Sequence, residues 1–166
     1  ALATEMAKRG GGLFPPQTAT PAVLLVDEES AKPVADTVAC LWHWVNVLQG
    51  ESLGRYPALF PQLPSVVDFN WCRLMAQSLH ELHGTLVDAG WDCAAVVRSE
   101  HCEKESQRWK DLAKLESVYR KSLAKAGLCD VHDAKRAAAA KPVLPNGIRR
   151  VVLMGVTDLS PLVQSA

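Results

Sequence analysis

Apolar side chains recur every three or four positions along most of the chain, the spacing of one face of an α-helix. Val34, Val38, Leu41, Trp42, Val45 and Leu48 predict a helix from about Pro33 or Val34 to Gln49, with Gly50 as its stop. Trp71, Leu74, Met75, Leu79, Leu82 and Leu86 predict a longer one over about Val66 to Ala89, capped at Ser65 or Asp68 and closed by Gly90. Trp109, Leu112, Leu115, Tyr119 and Leu123 mark the buried stripe of a third, from near Ser106 to Ala126, which Gly127 stops. Asp130 is placed to cap a shorter helix from Val131 or His132 to Ala140, and residues 2 to 9 form a brief amphipathic segment ended by Gly10-Gly11-Gly12.

Prolines divide these helical stretches. Pro15 and Pro16 fix φ and make Leu13 to Thr20 extended, and Pro57, Pro61 and Pro64 keep Arg55 to Pro64 irregular. The turn Pro145-Asn146-Gly147 leads into a short apolar strand, Val151 to Met154. Between the second and third long patterns, Ala94 to Val97 fits either a short helix or a strand. The pattern has no internal repeat and no low-complexity linker.

At 166 residues the chain is one domain or a piece of a larger one, long enough to bury a core without disulfides or metal. With 48% hydrophobic and 22% charged residues it has the composition of a soluble globular protein. No apolar run approaches the ~20 residues of a membrane span, and nothing resembles a secretion leader. Cys40, Cys72, Cys93, Cys102 and Cys129 are odd in number and form no CxxC pair, the usage of a reducing cytoplasm.

The net charge of +0 hides an asymmetry. Residues 1 to 97 hold five Lys/Arg against ten Asp/Glu, whereas residues 98 to 150 hold thirteen against seven. A basic half is what contact with a phosphate backbone requires. Its candidates are Arg98, Lys104, Arg108, Lys110, Arg120, Lys135, Arg136, Arg149 and Arg150, with Trp109 as a stacking surface or a core residue. Lys114, Lys121 and Lys125 read rather as the solvated face of a helix than as phosphate contacts.

Several catalytic patterns are excluded. Val23 to Ser30 has the shape of a Walker B strand with Asp27 and Glu28, but no GxxxxGK[ST] loop accompanies it, so Asp27, Glu28 and Glu29 are expected to form a solvated turn. His80-Glu81-Leu82-His83 places its histidines at i and i+3, not the i and i+4 of a zinc-protease helix. A surface or helix-packing role is therefore expected for them, with no metal site. No nucleophile elbow or Ser/His/Asp or Cys/His set occurs.

The end of the chain, Ile148 to Val163, resembles the Walker B strand of UvrD-type superfamily 1 helicases with Met154 and Gly155 in place of the Asp-Glu pair, and with Asp158 and Pro161 at the spacing of the following turn. Further motifs fall in the matching order. Leu13-Phe14-Pro15-Pro16 with Thr20-Pro21, then Asp68-Phe69-x-Trp71 running to Leu86-x-x-Ala89-Gly90, then Trp109-x-x-Leu112-x-x-Leu115-Glu116-x-x-Tyr119 running to Gly127-Leu128-x-Asp130 are similar to the helicase-nuclease B subunits of AddB or RexB type, members of the PD-(D/E)XK nuclease proteins. Leu128 to Ala134 resembles a drifted form of the turn that precedes Walker B in those helicases.

This resemblance implies a piece of a larger protein, mainly α: a bundle-like helicase insertion domain of 1B type, with a few strands belonging to a P-loop-like α/β core. Residues 1–30 would be the end of a core segment and a linker, 31–145 the helical insertion, and 146–166 the degenerate Walker B strand and loop. The implied function is DNA binding without ATP hydrolysis in a DNA repair and recombination nuclease, in the cytoplasm, with DNA and an ATPase subunit as partners and no membrane. The chain itself would be catalytically silent and need no cofactor, ATP and Mg²⁺ belonging to the parent protein. The rival expectation is a helical protein-interaction module that does not bind nucleic acid. A third, a true ATPase using Asp27 and Glu28, lacks its phosphate loop.

Overall fold

A computed structural model of the chain describes residues 32–143 and 158–165, together with the single positions 5, 8, 19, 20, 25 and 152; the side chains at 100, 101 and 103 are not described. Its helices are α1 (Thr37–Gly50), α2 (Phe69–Asp88), α3 (Cys93–Arg98), α4 (Ser106–Lys125), α5 (Val131–Ala140) and α6 (Pro161–Gln164), with 3₁₀ turns at Leu53–Arg55 and Glu100–Glu105. Among the described residues the one extended pairing is a parallel bridge between Val34 and Cys129. The described part is therefore mainly α. The segment at 2–9, the extended stretch at 13–20, the acidic turn of Asp27 to Glu29, the turn at 145–147 and the strand at 151–154 lie outside it, except for isolated positions.

Aspartate starts four of these helices. Asp36, Asp68 and Asp92 each accept a hydrogen bond from the amide three residues on, at 2.7, 2.7 and 2.6 Å, and Asp130 accepts from both His132 and Asp133. The ends of α2 and α4 share another device. Gly90 and Gly127 have φ of +80° and +73°, and the following amides of Trp91 and Leu128 reach back to Leu86 and Leu123. That is the Schellman closure, which only glycine enters without strain.

Two expectations are corrected. The first helix begins at Thr37, not at Pro33 or Val34, because Val34 pairs with Cys129 and Asp36 caps. Its buried face matches only in part: Val45 and Leu48 are buried and Leu41 packs against the core as expected, but Val38 and Trp42 are 75% and 56% exposed, and Cys40, Trp44 and Val47 are buried instead. The segment is apolar on nearly every side, so spacing alone did not select the face. On α2, Leu74 is likewise exposed, whereas Leu79 is buried and Trp71, Met75, Leu82 and Leu86 pack against the core.

Helix α1 packs on α2 and α4, α3 on α4, and α5 on α2. At their centre the Trp44 ring lies flat on Tyr119, with centroids 4.0 Å apart and planes 6° off parallel. The proline-rich connection joins this core by burying Leu53, Tyr56 and Phe60. It is held there by the buried Asp111, which accepts from the Ala58 amide at 3.2 Å. A smaller cluster gathers Leu25, Val87, Ala139 and Leu162. Among the described residues, no helix is long and apolar enough to cross a membrane.

Candidate functional site

The basic half of the chain separates into an outward and an inward set. Arg98 ends α3, Lys104 lies in the 3₁₀ turn, and Arg108 and Lys110 open α4; all four are exposed. Arg108 sits 3.4 Å from Glu105 in a solvent-exposed pair. Lys110, Lys114, Lys121 and Lys125 recur at i, i+4, i+11 and i+15, which places them on one face of α4 over about 22 Å at 1.5 Å per residue. All four are exposed, and the remaining turn of that face carries Ser117 in place of a carboxylate.

Arg120 and Arg136, by contrast, turn inward. Arg120 forks onto Asp133 at 2.7 and 2.9 Å, and Arg136 reaches Asp92 at 2.6 Å, tying α5 to the cap of α3. Lys135 is half-buried, and Trp109 packs against the core. Asp158 is exposed two residues before Ser160, which caps α6 with Pro161 in its first turn. Arg149, Arg150, Met154 and Gly155 lie outside the described residues.

Behind α4 the molecule buries a knot of titratable groups. His80 and His83 from α2 are 8% and 2% exposed, so they are not surface residues. Glu116 and Tyr119 come from α4, Asp130 and His132 from the start of α5, and Cys40 from the first turn of α1. Gly84 makes room for them, since a Cβ there would stand 2.8 Å from the His132 ring. The His132 ring in turn lies against His80 and His83, with centroids 4.6 and 5.3 Å away.

Asp130 is the hub. One of its oxygens accepts the two α5 amides; the other accepts the Tyr119 hydroxyl at 2.5 Å and the Cys40 thiol at 3.5 Å. His83 faces three carboxylates, Glu116 and Asp133 at 3.5 Å and Asp130 at 3.7 Å. These separations suit ion pairs but exceed hydrogen-bond length. Both His83 nitrogens, both His132 nitrogens, His80 Nδ1 and Glu116 Oε1 are buried without a hydrogen-bond partner among the protein atoms.

Charge is distributed accordingly. Burial disfavours the cation at His83, but Asp133, Asp130 and Glu116 outweigh it and raise its pKa. Burial lowers His80, and lowers His132 to about 4, so both are neutral at pH 7. Burial raises Glu116 against the pull of Arg120 and His83. For Asp133 burial is overcome by the facing His83 ring and the fork of Arg120, which hold it at about 2. Burial likewise pushes up the thiol of Cys40.

Two sets of side chains are close enough to share a cation, with donor atoms within 4.8 Å of one another: Cys40, His80 and Asp130, and His83, Asp130 and Asp133. The adjoining cavity, bounded by Trp44, His83, Cys93 and Glu116 among others, measures about 10 Å³. That is room for about one water or one ion and far from the several hundred Å³ of an organic-ligand pocket. The histidine spacing suggests no ligand set because the further donors stand some fifty residues downstream and, for Cys40, forty residues upstream. Asp130-Val131-His132-Asp133, three ionisable groups at a helix start, was the available signal. No protein-family model, curated protein or solved structure matches the chain.

Proposed function

We propose that the chain is a DNA-contacting helical module, the insertion domain of an AddB- or RexB-type helicase-nuclease, which grips the phosphate backbone without hydrolysing ATP. The observation that carries this reading is the row of Lys110, Lys114, Lys121 and Lys125 along one exposed face of α4, with Arg98, Lys104 and Arg108 exposed near its start. A row of exposed cations, of which Lys114 also pairs with the buried Asp111 at 3.3 Å, suits the repeating charge of a nucleic-acid strand. ATP and Mg²⁺ would be held elsewhere in the parent protein or by an ATPase partner subunit.

Fluorescence anisotropy with labelled single-stranded and duplex DNA at low and physiological salt tests it. The expected result is saturable binding whose logarithm falls with log salt at a slope of about −3 to −4 for duplex, roughly −0.9 per neutralised phosphate. Lys110→Glu with Lys121→Glu should remove at least two phosphates' worth of that slope while leaving the helical circular dichroism intact. Absence of binding at low salt would sink the reading.

A second reading rests on a different face. Val38 and Trp42, at i and i+4 on α1, are 75% and 56% exposed, an apolar pair suited to a protein partner. Binding through it would depend on Trp42 and be nearly indifferent to salt.

A further inference from the structure

The buried knot behind α4 has a property that the DNA reading does not use. It brings a thiol, an imidazole and a carboxylate within 4.8 Å of one another where water is nearly excluded, with the His132 ring lying against the His80 ring. We propose that Cys40, His80 and Asp130, with His132 as fourth ligand, form a binding site for a single Zn²⁺ that pins the first turn of α1 and the start of α5 to the middle of α2.

The donor set suits this ion and few others. Thiolate, imidazole and carboxylate oxygen are the ligands zinc takes in four-coordinate sites, whereas Ca²⁺ and Mg²⁺ require oxygens throughout. Cys40, Asp130 and His80 are 0%, 2% and 8% exposed, as befits a closed structural site. With Zn–S of about 2.3 Å and Zn–O of about 2.0 Å, a tetrahedron has an S···O edge of about 3.5 Å. The Cys40 Sγ to Asp130 Oδ2 distance is 3.5 Å.

The nitrogens are available as well. His80 Nδ1 and both ring nitrogens of His132 are buried and lack hydrogen-bond partners, and the two rings lie against each other with centroids 4.6 Å apart. Asp130 is already aimed: two α5 amides fix one oxygen, and the Tyr119 hydroxyl steadies the other.

Charge favours this set over its neighbour. One Zn²⁺, one thiolate, one carboxylate and two neutral imidazoles sum to zero, which a low-dielectric interior tolerates best. The only bond broken is the Cys40 S–H, whose proton passes to solvent as the Zn–S bond forms. The set of His83, Asp130 and Asp133 is a poorer host, because the Arg120 guanidinium occupies both Asp133 oxygens and repels a second cation.

The test is titration of the whole chain, freed of metal by chelation, with Co²⁺ as a spectroscopic stand-in and then with Zn²⁺. One Co²⁺ per chain is expected, with the strong visible bands of a tetrahedral centre and a near-ultraviolet thiolate-to-cobalt band, both bleached by one equivalent of Zn²⁺. Cys40→Ala should remove the thiolate band and weaken binding at least 100-fold, whereas Cys129→Ala, at a half-buried cysteine outside the set, should change neither. Should Cys40→Ala fail to fold, His132→Gln serves instead, with a loss of at least tenfold expected. A folded chain that takes up no Co²⁺, a thiolate band that survives Cys40→Ala, or unchanged affinity in His132→Gln each overturns the proposal. Because no readout involves DNA, this outcome is independent of the lysine row.

Discussion

Helix α4 runs between two interiors built on different physics. Leu112, Leu115 and Leu123 join Trp44, Leu48 and Leu79 in a core where nearly every contact is carbon on carbon, the Trp44 indole N–H being an isolated polar atom without an acceptor. One residue on from Leu115, Glu116 enters a region that buries a second carboxylate, Asp130, and a histidine pair from α2, with Asp133 half-buried beside them. The first interior gains stability in proportion to apolar area and asks only for the right volume. The second loses solvation for every charge it buries and recovers it only where a partner is correctly placed. Such an arrangement adds little net stability over an apolar replacement, but it makes the bundle sensitive to protons, to ions and to the loss of any one member.

The sharpest way to break the contrast is to remove the hub. Asp130→Ala takes away the α5 cap, strands the Tyr119 hydroxyl and removes one of the three carboxylates that face His83, and we expect a loss of about 3–5 kcal/mol in urea unfolding. In a Tyr119→Phe background the loss should shrink by roughly 1 kcal/mol or more, because the hydroxyl is no longer left unpaired. Leu115→Ala, at a fully buried site in the apolar interior, should cost about 2–5 kcal/mol. That cost should not change in the Tyr119→Phe background beyond a few tenths of a kcal/mol if the interiors are as separate as their chemistry. Equal coupling for both substitutions would erase the distinction.

The apolar interior was largely legible in the sequence, and the polar one was not. Leu112, Leu115, Tyr119 and Leu123 declare themselves by spacing, and Asp68, Gly90, Gly127 and Asp130 by cap chemistry, because both signals act within a few residues along the chain. On α1 the spacing misled, since apolar residues all round it left the choice of face to the Trp44–Tyr119 stack, a contact between distant helices. The histidine pair on α2 was seen, but its meaning depends on residues of α4 and α5 that only the packing brings near. Tertiary proximity of polar groups leaves no periodic trace. For the same reason Arg120 and Arg136, indistinguishable by composition from the outward cations, turn out to serve Asp133 and Asp92.

Proton dependence offers a milder probe, and its sign differs among the histidines. His132 is held at about 4 against an ordinary 6.5, chiefly by burial, and His80 is lowered for the same reason. Below pH 6.5 the unfolded chain therefore takes protons that the folded chain refuses, so stability is full above 6.5 and falls as pH drops toward 4. His83 is shifted upward: its contribution is fully present below 6.5 and is lost as pH rises through its folded value. Metal-free protein should thus show a stability maximum near neutrality. His132→Gln should flatten the acid limb between pH 6.5 and 4 by about 1–3 kcal/mol, and His83→Gln should remove the alkaline decline. Asp133 adds a further loss below about pH 3.8 as it is protonated toward its value of about 2. Thermal melts across pH 3 to 9 measure all three limbs, and an acid limb that His132→Gln leaves untouched would contradict the assignment.

The smallest effect is the most discriminating, because its sign depends on a neighbour. Gly84 sits inside α2, where alanine would ordinarily be favoured by about 1 kcal/mol. A methyl group there meets His132 Cε1 at 2.8 Å and Nε2 at 3.2 Å, so the imidazole must move. That ring is confined by His80 and His83, and a shift disturbs the polar interior while leaving the apolar one alone. Gly84→Ala should therefore lower stability in the native sequence and raise it by up to about 1 kcal/mol once His132→Ala has opened the space, a change of sign readable in a double-mutant cycle. An apolar interior can usually absorb one methyl by small rearrangements of many side chains; here a single ring carries the whole displacement. If Gly84→Ala proves stabilising on its own, His132 is free to swing, and the polar interior is looser than its burial implies.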